Sequence, residues 1–116
     1  MTSTSCLSLL TCLMSLTGAM SGFIADKPNE IEFPVQKAKF LRLVIHASLT
    51  SQSCIDELEV YGPDSQMNLA AAAQGARATA SSCLPGYAIH QIAHLNDGLY
   101  GNEHSWICAG TGREWA

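Results

Sequence analysis

The residues best suited to chemistry surround a sharp turn, Asn96-Asp97-Gly98, near the C-terminal end of the sequence. Asn-Asp-Gly places two residues that tolerate left-handed backbone beside the one that prefers it. Such a turn can point the Asp97 carboxylate and several backbone carbonyls at one spot, which is what a hard cation such as calcium requires. The alternative for the turn alone is a hairpin with a solvated carboxylate.

Cysteine and histidine side chains near the same turn offer a second chemistry. A zinc site could use Cys83, His90, His94, His104 and Cys108, with His90 and His94 four residues apart on one helix face. No Cys-x-x-Cys or His-Glu-x-x-His motif accompanies them. Cys83 and His90 could also form a nucleophile and base, although no orienting acid or oxyanion loop can be named. One hypothesis for the function is therefore a metal-dependent enzyme or redox protein. The simpler explanation of the cysteines is that they are reduced and lie in the core.

Two predicted strands in the first half of the chain must position these groups. Residues 39–47 alternate, with one purely apolar face expected toward the core and one mixed face. Residues 54–61 alternate in the same way and stop at Gly62-Pro63, and we expect the two strands to form a hairpin. The apolar face of the first strand consists of Leu41, Leu43, Ile45 and Ala47, and the mixed face of Phe40, Arg42, Val44 and His46.

The second half contains shorter signals. Propensity alone predicts a helix at residues 69–73, which are rich in alanine. Residues 87–95 have helical spacing and predict a helical turn that leads into Asn96. Trp106 and Trp115 each begin a strand-like stretch, and Trp106 is expected to lie in the core.

Composition and charge exclude some classes of protein. The chain has 116 residues, of which 47% are hydrophobic and 14% are charged, so a globular fold of at most one domain is expected. The net charge is −4 with only six Lys and Arg, and no basic stripe exists to neutralise phosphates, so nucleic acid is not an expected partner.

The first 25 residues carry no Lys, Arg, Asp or Glu, and they contain an apolar run diluted by Ser and Thr. Ala19 and Ser21 are small residues at −3 and −1 of a cleavage point before Gly22. Residues 1–21 therefore predict a signal peptide and a secreted, periplasmic or extracellular protein, without stable membrane insertion. An uncleaved anchor and spurious upstream translation are the alternatives, since the positive n-region is missing.

The motifs downstream resemble a known family. From residue 68 to about 115 the chain has N-L-A, G-A-x-A-T-A-S-S, a Tyr, L-N-D-G and S-W, and upstream it has F-L-R-L-V-I-H and C-I-D-E-L-E-V-Y-G-P. The first set of motifs is similar to the start of a discoidin domain of the coagulation-factor C-terminal type, and the upstream set is similar to the end of such a domain. The two ends therefore occur in reversed order. The resemblance implies an all-β fold, a partial jelly-roll sandwich of the galactose-binding-domain type. It also implies an extended opening segment and a short strand at 76–81 instead of a helix at 69–73.

The reversed order divides the chain into pieces of two tandem domains. Residues 22–63 would be the C-terminal part of one discoidin-like domain, and residues 68–116 would be the N-terminal part of the next. Residues 64–67 would link the two parts. The family's structural calcium implies a ligand set in which Asp97 and Glu57 give carboxylates. Glu57 and Asp97 would serve different sites in a tandem array, and they would meet only if the pieces pack as one permuted half-sandwich; otherwise Glu57 is a solvated strand residue. The remaining implied ligands give carbonyl or hydroxyl oxygens: Asp56, His94, Leu99 and Ser105.

Two further expectations follow from the same interpretation. If the protein is secreted, a disulfide is expected between Cys54 and Cys83, joining the two halves and leaving Cys108 free. Family ligand sites use exposed aromatics, Arg and His in loops at one end of the sandwich. The candidates in this chain are Tyr87, Tyr100, His104 and Arg113.

The resemblance thus implies a non-catalytic module of a larger multidomain secreted protein. Its expected partner is a carbohydrate or a cell-surface glycoconjugate, and its expected cofactor is structural calcium. Besides the zinc or redox alternative, a third hypothesis is a truncated fragment without independent function, because a small chain split between two half-cores buries little surface.

Overall fold

The computed structural model describes residue 24, residues 27–46 and residues 52–116. The predicted signal-like segment, residues 1–21, lies outside the described residues, as does Ala47. The described part contains four strands, β1 (Val44–Ile45), β2 (Cys54–Ile55), β3 (Trp106–Ile107) and β4 (Glu114–Trp115). Two 3-10 helices, Ala72–Gln74 and Ile92–Asn96, separate β2 from β3. No α-helix occurs among the described residues, so the non-helical, β-type part of the predicted fold class is confirmed at this coarse level.

The four strands form two antiparallel two-stranded sheets, and each sheet joins the two halves of the chain. β1 pairs with β4, with Val44 opposite Trp115, and β2 pairs with β3, with Ile55 opposite Trp106. The predicted hairpin between the first two strands is therefore wrong. That prediction was based on adjacency in sequence, whereas each strand here pairs with a segment that brings a tryptophan.

A single hydrophobic core contains residues from both halves. Trp106 is fully buried at its centre, and its indole Nε1 donates to the carbonyl of Ser82 at 2.9 Å. This confirms the prediction that Trp106 is a core residue. The two pieces assigned from sequence to different tandem domains, 22–63 and 68–116, thus pack together. The core comprises Ile45, Ile55 and Leu58 from the first half and Leu95, Trp106, Cys108 and Ala116 from the second.

The strand predicted at residues 39–47 is much shorter than expected. Its apolar face is confirmed at Ile45, which is buried, and at Leu43, which packs against the core. Leu43 and Ala116 exchange backbone hydrogen bonds of 2.7 and 3.0 Å, which extend the β1–β4 ladder by one pair. Leu41 is 38% exposed, contrary to prediction, because the described partner strand supplies no residue opposite it.

The segment predicted as a strand at 54–61 is regular only in β2. Beyond it the backbone pairs with loops: the amide of Leu58 donates to the Leu95 carbonyl at 2.7 Å, and the amide of Leu69 donates to the Val60 carbonyl at 2.7 Å. Glu57 and Leu58 are both buried, so both faces of the chain are covered at this point. Because the backbone of this segment has hydrogen-bond partners on both sides, the side chains of neighbouring residues are covered.

The short strand implied at 76–81 does not form, and the helix that propensity alone predicts at 69–73 appears only as the 3-10 helix Ala72–Gln74. The first 3-10 helix ends at Gly75, whose φ of 85° is left-handed. Residues 76–80 then run without regular structure, although the amide of Ser81 donates to the Trp115 carbonyl at 2.9 Å. Among the described residues, no helix is long and apolar enough to span a membrane.

Candidate functional site

The turn at Asn96-Asp97-Gly98 lies directly over the side chain of Glu57. The second 3-10 helix, Ile92–Asn96, ends at Asp97, and Gly98 follows with a left-handed φ of 81° that favours glycine. Both carboxylate oxygens of Glu57 accept the Gly98 amide hydrogen at 3.2 Å. Glu57 has no exposed surface, so it is a buried carboxylate and not the solvated strand residue of the alternative.

Burial makes Glu57 electrostatically unusual. Loss of water is the main cause that raises its pKa from the ordinary 4.5 to about 7, against the lowering effect of the Gly98 amide. The nearby negative charges of Asp97 and Glu59 raise the pKa of Glu57 further. A buried carboxylate beside a second one is costly to ionise. The pair therefore forms a place where a cation would be stabilised.

Asp97 is more accessible to solvent than Glu57, with 23% of its side chain exposed. Its Oδ1 accepts the Leu99 amide hydrogen at 2.8 Å, which tightens the turn. Its Oδ2 lies 3.3 Å from Nδ1 of His104. The ring of His94 approaches from the helix, and its centroid is 5.4 Å from that of His104.

The predicted calcium ligands are only partly brought together. Glu57 lies beneath the turn that contains Asp97, and the charge of Asp97 raises the pKa of Glu57. Asp56 contacts the loop through its carboxylate, which accepts the Gly101 amide hydrogen at 3.2 Å. The Ser105 hydroxyl is buried, where it donates to the Asn102 carbonyl at 3.2 Å, and Leu99 is 49% exposed. The two carboxylates fit a hard cation, while the Ser105 hydroxyl is committed to the protein.

Three of the predicted ligand-binding residues are exposed and His104 is half-buried, and the four do not form one cluster in the described contacts. Tyr87 and Tyr100 are each 56% exposed. The Tyr100 hydroxyl donates to Glu59 Oε1 at 2.7 Å, and this bond is the main cause that raises the pKa of Tyr100. Arg113 is exposed just before β4, and His104 contacts Asp97.

The structure does not contain the predicted disulfide between Cys54 and Cys83, and all three described cysteines are free. Cys54 lies opposite Ile107 in β3, while the amide of Leu84 donates to the carbonyl of Ile107 from the other side at 2.8 Å.

The predicted five-residue Cys/His set is split by the fold. His90 is buried and its Nδ1 lies 2.9 Å from the Ser105 hydroxyl, whereas His94 belongs to the 3-10 helix and faces Asp97 and His104. The two histidines do not share a helix face, because His90 precedes the helix. Cys83 donates its thiol hydrogen to the His90 carbonyl at 2.9 Å, so its observed partner is backbone and not the imidazole.

Two asparagines that sequence reasoning missed hold the site together. Asn68 Oδ1 accepts the amide hydrogens of Val60 at 2.9 Å and Ala70 at 3.0 Å. Asn96 is buried, and its Nδ2 donates to the carbonyls of Ala70 at 2.8 Å and Ala76 at 3.3 Å. The available signal was the tendency of Asn to bond backbone groups near turns.

Replacing Asn96 by alanine is expected to lower the free energy of unfolding by about 1–2 kcal/mol, because the partly buried carbonyls of Ala70 and Ala76 lose their side-chain donor. The measurement is a thermal melt followed by circular dichroism. Asn102→Ala is the matched control, since Asn102 is exposed and only its carbonyl accepts a bond. If the two variants melt at the same temperature, Asn96 does not fasten the opening segment to the turn.

Comparisons of the chain with models of protein families, with curated proteins and with solved structures give no match.

Proposed function

We propose that this chain is a non-catalytic binding module of a secreted, larger protein, folded as a discoidin-like partial jelly roll. In this proposal a structural calcium ion at the Asn96-Asp97-Gly98 turn steadies the loops that bind carbohydrate or a cell-surface glycoconjugate. The small antiparallel sheets support the β-type part of this architecture.

The observation that carries the proposal is the buried carboxylate of Glu57 beneath the turn. The backbone amides of Gly98 and Asp97 donate to it, and the side chain of its neighbour Asp97 is also acidic. Ionised carboxylates in an apolar setting need a compensating charge. Carboxylates together with backbone carbonyls are the ligand types that calcium takes in irregular loops. Glu57 and Asp97 would hold the ion, which would supply the missing positive charge.

The ligand surface in this proposal lies on the loop that follows the turn. Tyr100 is two residues beyond Gly98, more than half of it is exposed, and its hydroxyl is fixed by Glu59. An aromatic ring held at one edge offers an apolar face to a sugar ring and a polar edge to its hydroxyls. Because Asp56 also accepts the Gly101 amide hydrogen, the loop is anchored on both sides of Tyr100.

Retention of the protein on immobilised glycans tests this function. With calcium present, we expect Tyr100→Ala to lower the affinity about tenfold, since the stacking surface is lost. Phe40→Ala is the matched control, because Phe40 is an exposed aromatic on another segment. A chelator should weaken binding by the wild type. Equal effects of the two substitutions, or no retention on any glycan in calcium, would contradict the proposal.

A further inference from the structure

We infer that His94, Asp97 and His104 form a binding site for a zinc-like divalent metal ion. Each residue offers one ligand atom, and the three atoms lie within 4.8 Å of one another. This site goes beyond the proposed function and does not depend on it, because its three ligands do not include Glu57.

The three ligands come from two separate pieces of chain that the fold brings together. His94 lies in the second 3-10 helix and Asp97 caps its end, while His104 closes a turn in which its amide donates to the Gly101 carbonyl at 2.9 Å. Donor atoms in a tetrahedral zinc site are roughly 3.4 Å apart, given bonds of about 2.1 Å. Small rotations of the two imidazoles would therefore close the observed spacing.

A hydrogen bond to the backbone holds the ring of His94. Its Nδ1 lies 3.0 Å from the carbonyl of Ile89, and a carbonyl can only accept, so Nδ1 carries the hydrogen in this bond. The other ring nitrogen, Nε2, is then left with a free lone pair. A backbone carbonyl that fixes the tautomer in this way is the usual outer-shell partner of a metal-binding histidine.

The donor set selects the class of metal. Two imidazole nitrogens and one carboxylate suit zinc and similar first-row ions, whereas calcium takes oxygen ligands. The side chains of His104 and Asp97 are 39% and 23% exposed, so solvent can reach the site and water can complete the coordination. A metal bound here would tie the turn at His104 to the end of the 3-10 helix. Zinc and the proposed calcium ion would both use Asp97, so they would compete.

Titration of the whole chain with zinc chloride in a calorimeter, repeated with cobalt(II) in an absorption spectrometer, tests the site. We expect one ion per chain and, with cobalt, visible bands typical of four-coordinate nitrogen and oxygen ligation. His94→Ala and His104→Ala should each weaken binding more than about tenfold. His46→Ala is the matched control, since His46 is exposed and lies outside the cluster.

Several outcomes would overturn the inference. These are no stoichiometric binding, equal loss of affinity in all three histidine variants, or a thiolate-to-cobalt charge-transfer band, which would place the metal on cysteine. His104→Gln preserves size, so its melt without metal separates a lost ligand from a lost fold.

Discussion

Replacing Trp106 by alanine is expected to lower the free energy of unfolding by about 3–5 kcal/mol and to remove most of the cooperative melt. Trp106 is fully buried at the centre of the core shared by both halves, and its indole also loses the bond to the Ser82 carbonyl. Ordinary domains have only about 5–15 kcal/mol of net stability. Since only two short sheets hold this protein together, the Trp106→Ala variant should retain little net stability. Urea unfolding followed by circular dichroism gives the measurement.

Trp115→Ala is the matched control for this prediction. Trp115 is only partly buried in β4, and its ring carries the Arg42 guanidinium 4.5 Å from the centroid. We expect a clearly smaller loss, because this indole leaves a surface depression and not an internal cavity. If Trp106→Ala and Trp115→Ala destabilise equally, or if neither alters the transition, the two halves do not share one core.

The second large effect expected is a fall in stability as pH rises, caused by Glu57. In metal-free protein its folded pKa of about 7 lies above the ordinary value of 4.5. A raised folded pKa means that the folded state holds the proton more tightly than the unfolded state. The resulting stability is fully present below about pH 4.5 and is lost as pH rises through about 7, by up to about 3 kcal/mol.

Glu57→Gln should abolish this pH dependence. Glutamine keeps the shape and can still accept the Gly98 amide hydrogen, but it carries no charge to bury. Calcium should also abolish the pH dependence of the wild type, because a bound cation would compensate the charge of Glu57. At a hundredfold excess over its dissociation constant, an ion bound only to the folded state adds about 2.7 kcal/mol. We expect that gain above pH 7 in the wild type and none in Glu57→Gln.

Melts between pH 4.5 and 8.5, with a chelator and then with calcium, provide the check. Glu32→Gln is the control, because Glu32 is an exposed carboxylate and should behave as the wild type. A Glu57→Gln protein that follows the wild-type pH profile would show that Glu57 does not titrate with folding.

Sequence reasoning succeeded where a pattern had one physical solution. Trp106 was predicted to begin a strand and to lie in the core, and it does both, while Ile45 and Leu43 lie on the predicted apolar face. The resemblance implied Glu57 and Asp97 as calcium ligands, which stays a prediction. The motifs could not show that Glu57 lies beneath the turn, since a tandem arrangement and a permuted packing use the same motifs.

The errors arose where a tertiary partner overrode a local pattern. Alternation placed Glu57 and Leu58 on opposite faces, but it could not show that both faces are covered, Glu57 by the turn and Leu58 by the core. Spacing placed His90 and His94 on one helix, but the helix begins at Ile92 and a bridge to Ser105 holds His90 apart. The proximity of His104 to His94 and Asp97 depends on how the loop after Tyr100 folds back, which no sequence period encodes.

The amide resonance of Gly98 provides the most direct test of the central claim, that a cation neutralises Glu57 beneath the turn. Its nitrogen donates to both Glu57 oxygens, so in an NMR titration its shift should report the ionisation of that carboxylate. We expect a midpoint near pH 7 in chelator and a midpoint lowered by at least one pH unit in saturating calcium. A Gly98 resonance that follows the same pH curve with and without calcium would contradict the account.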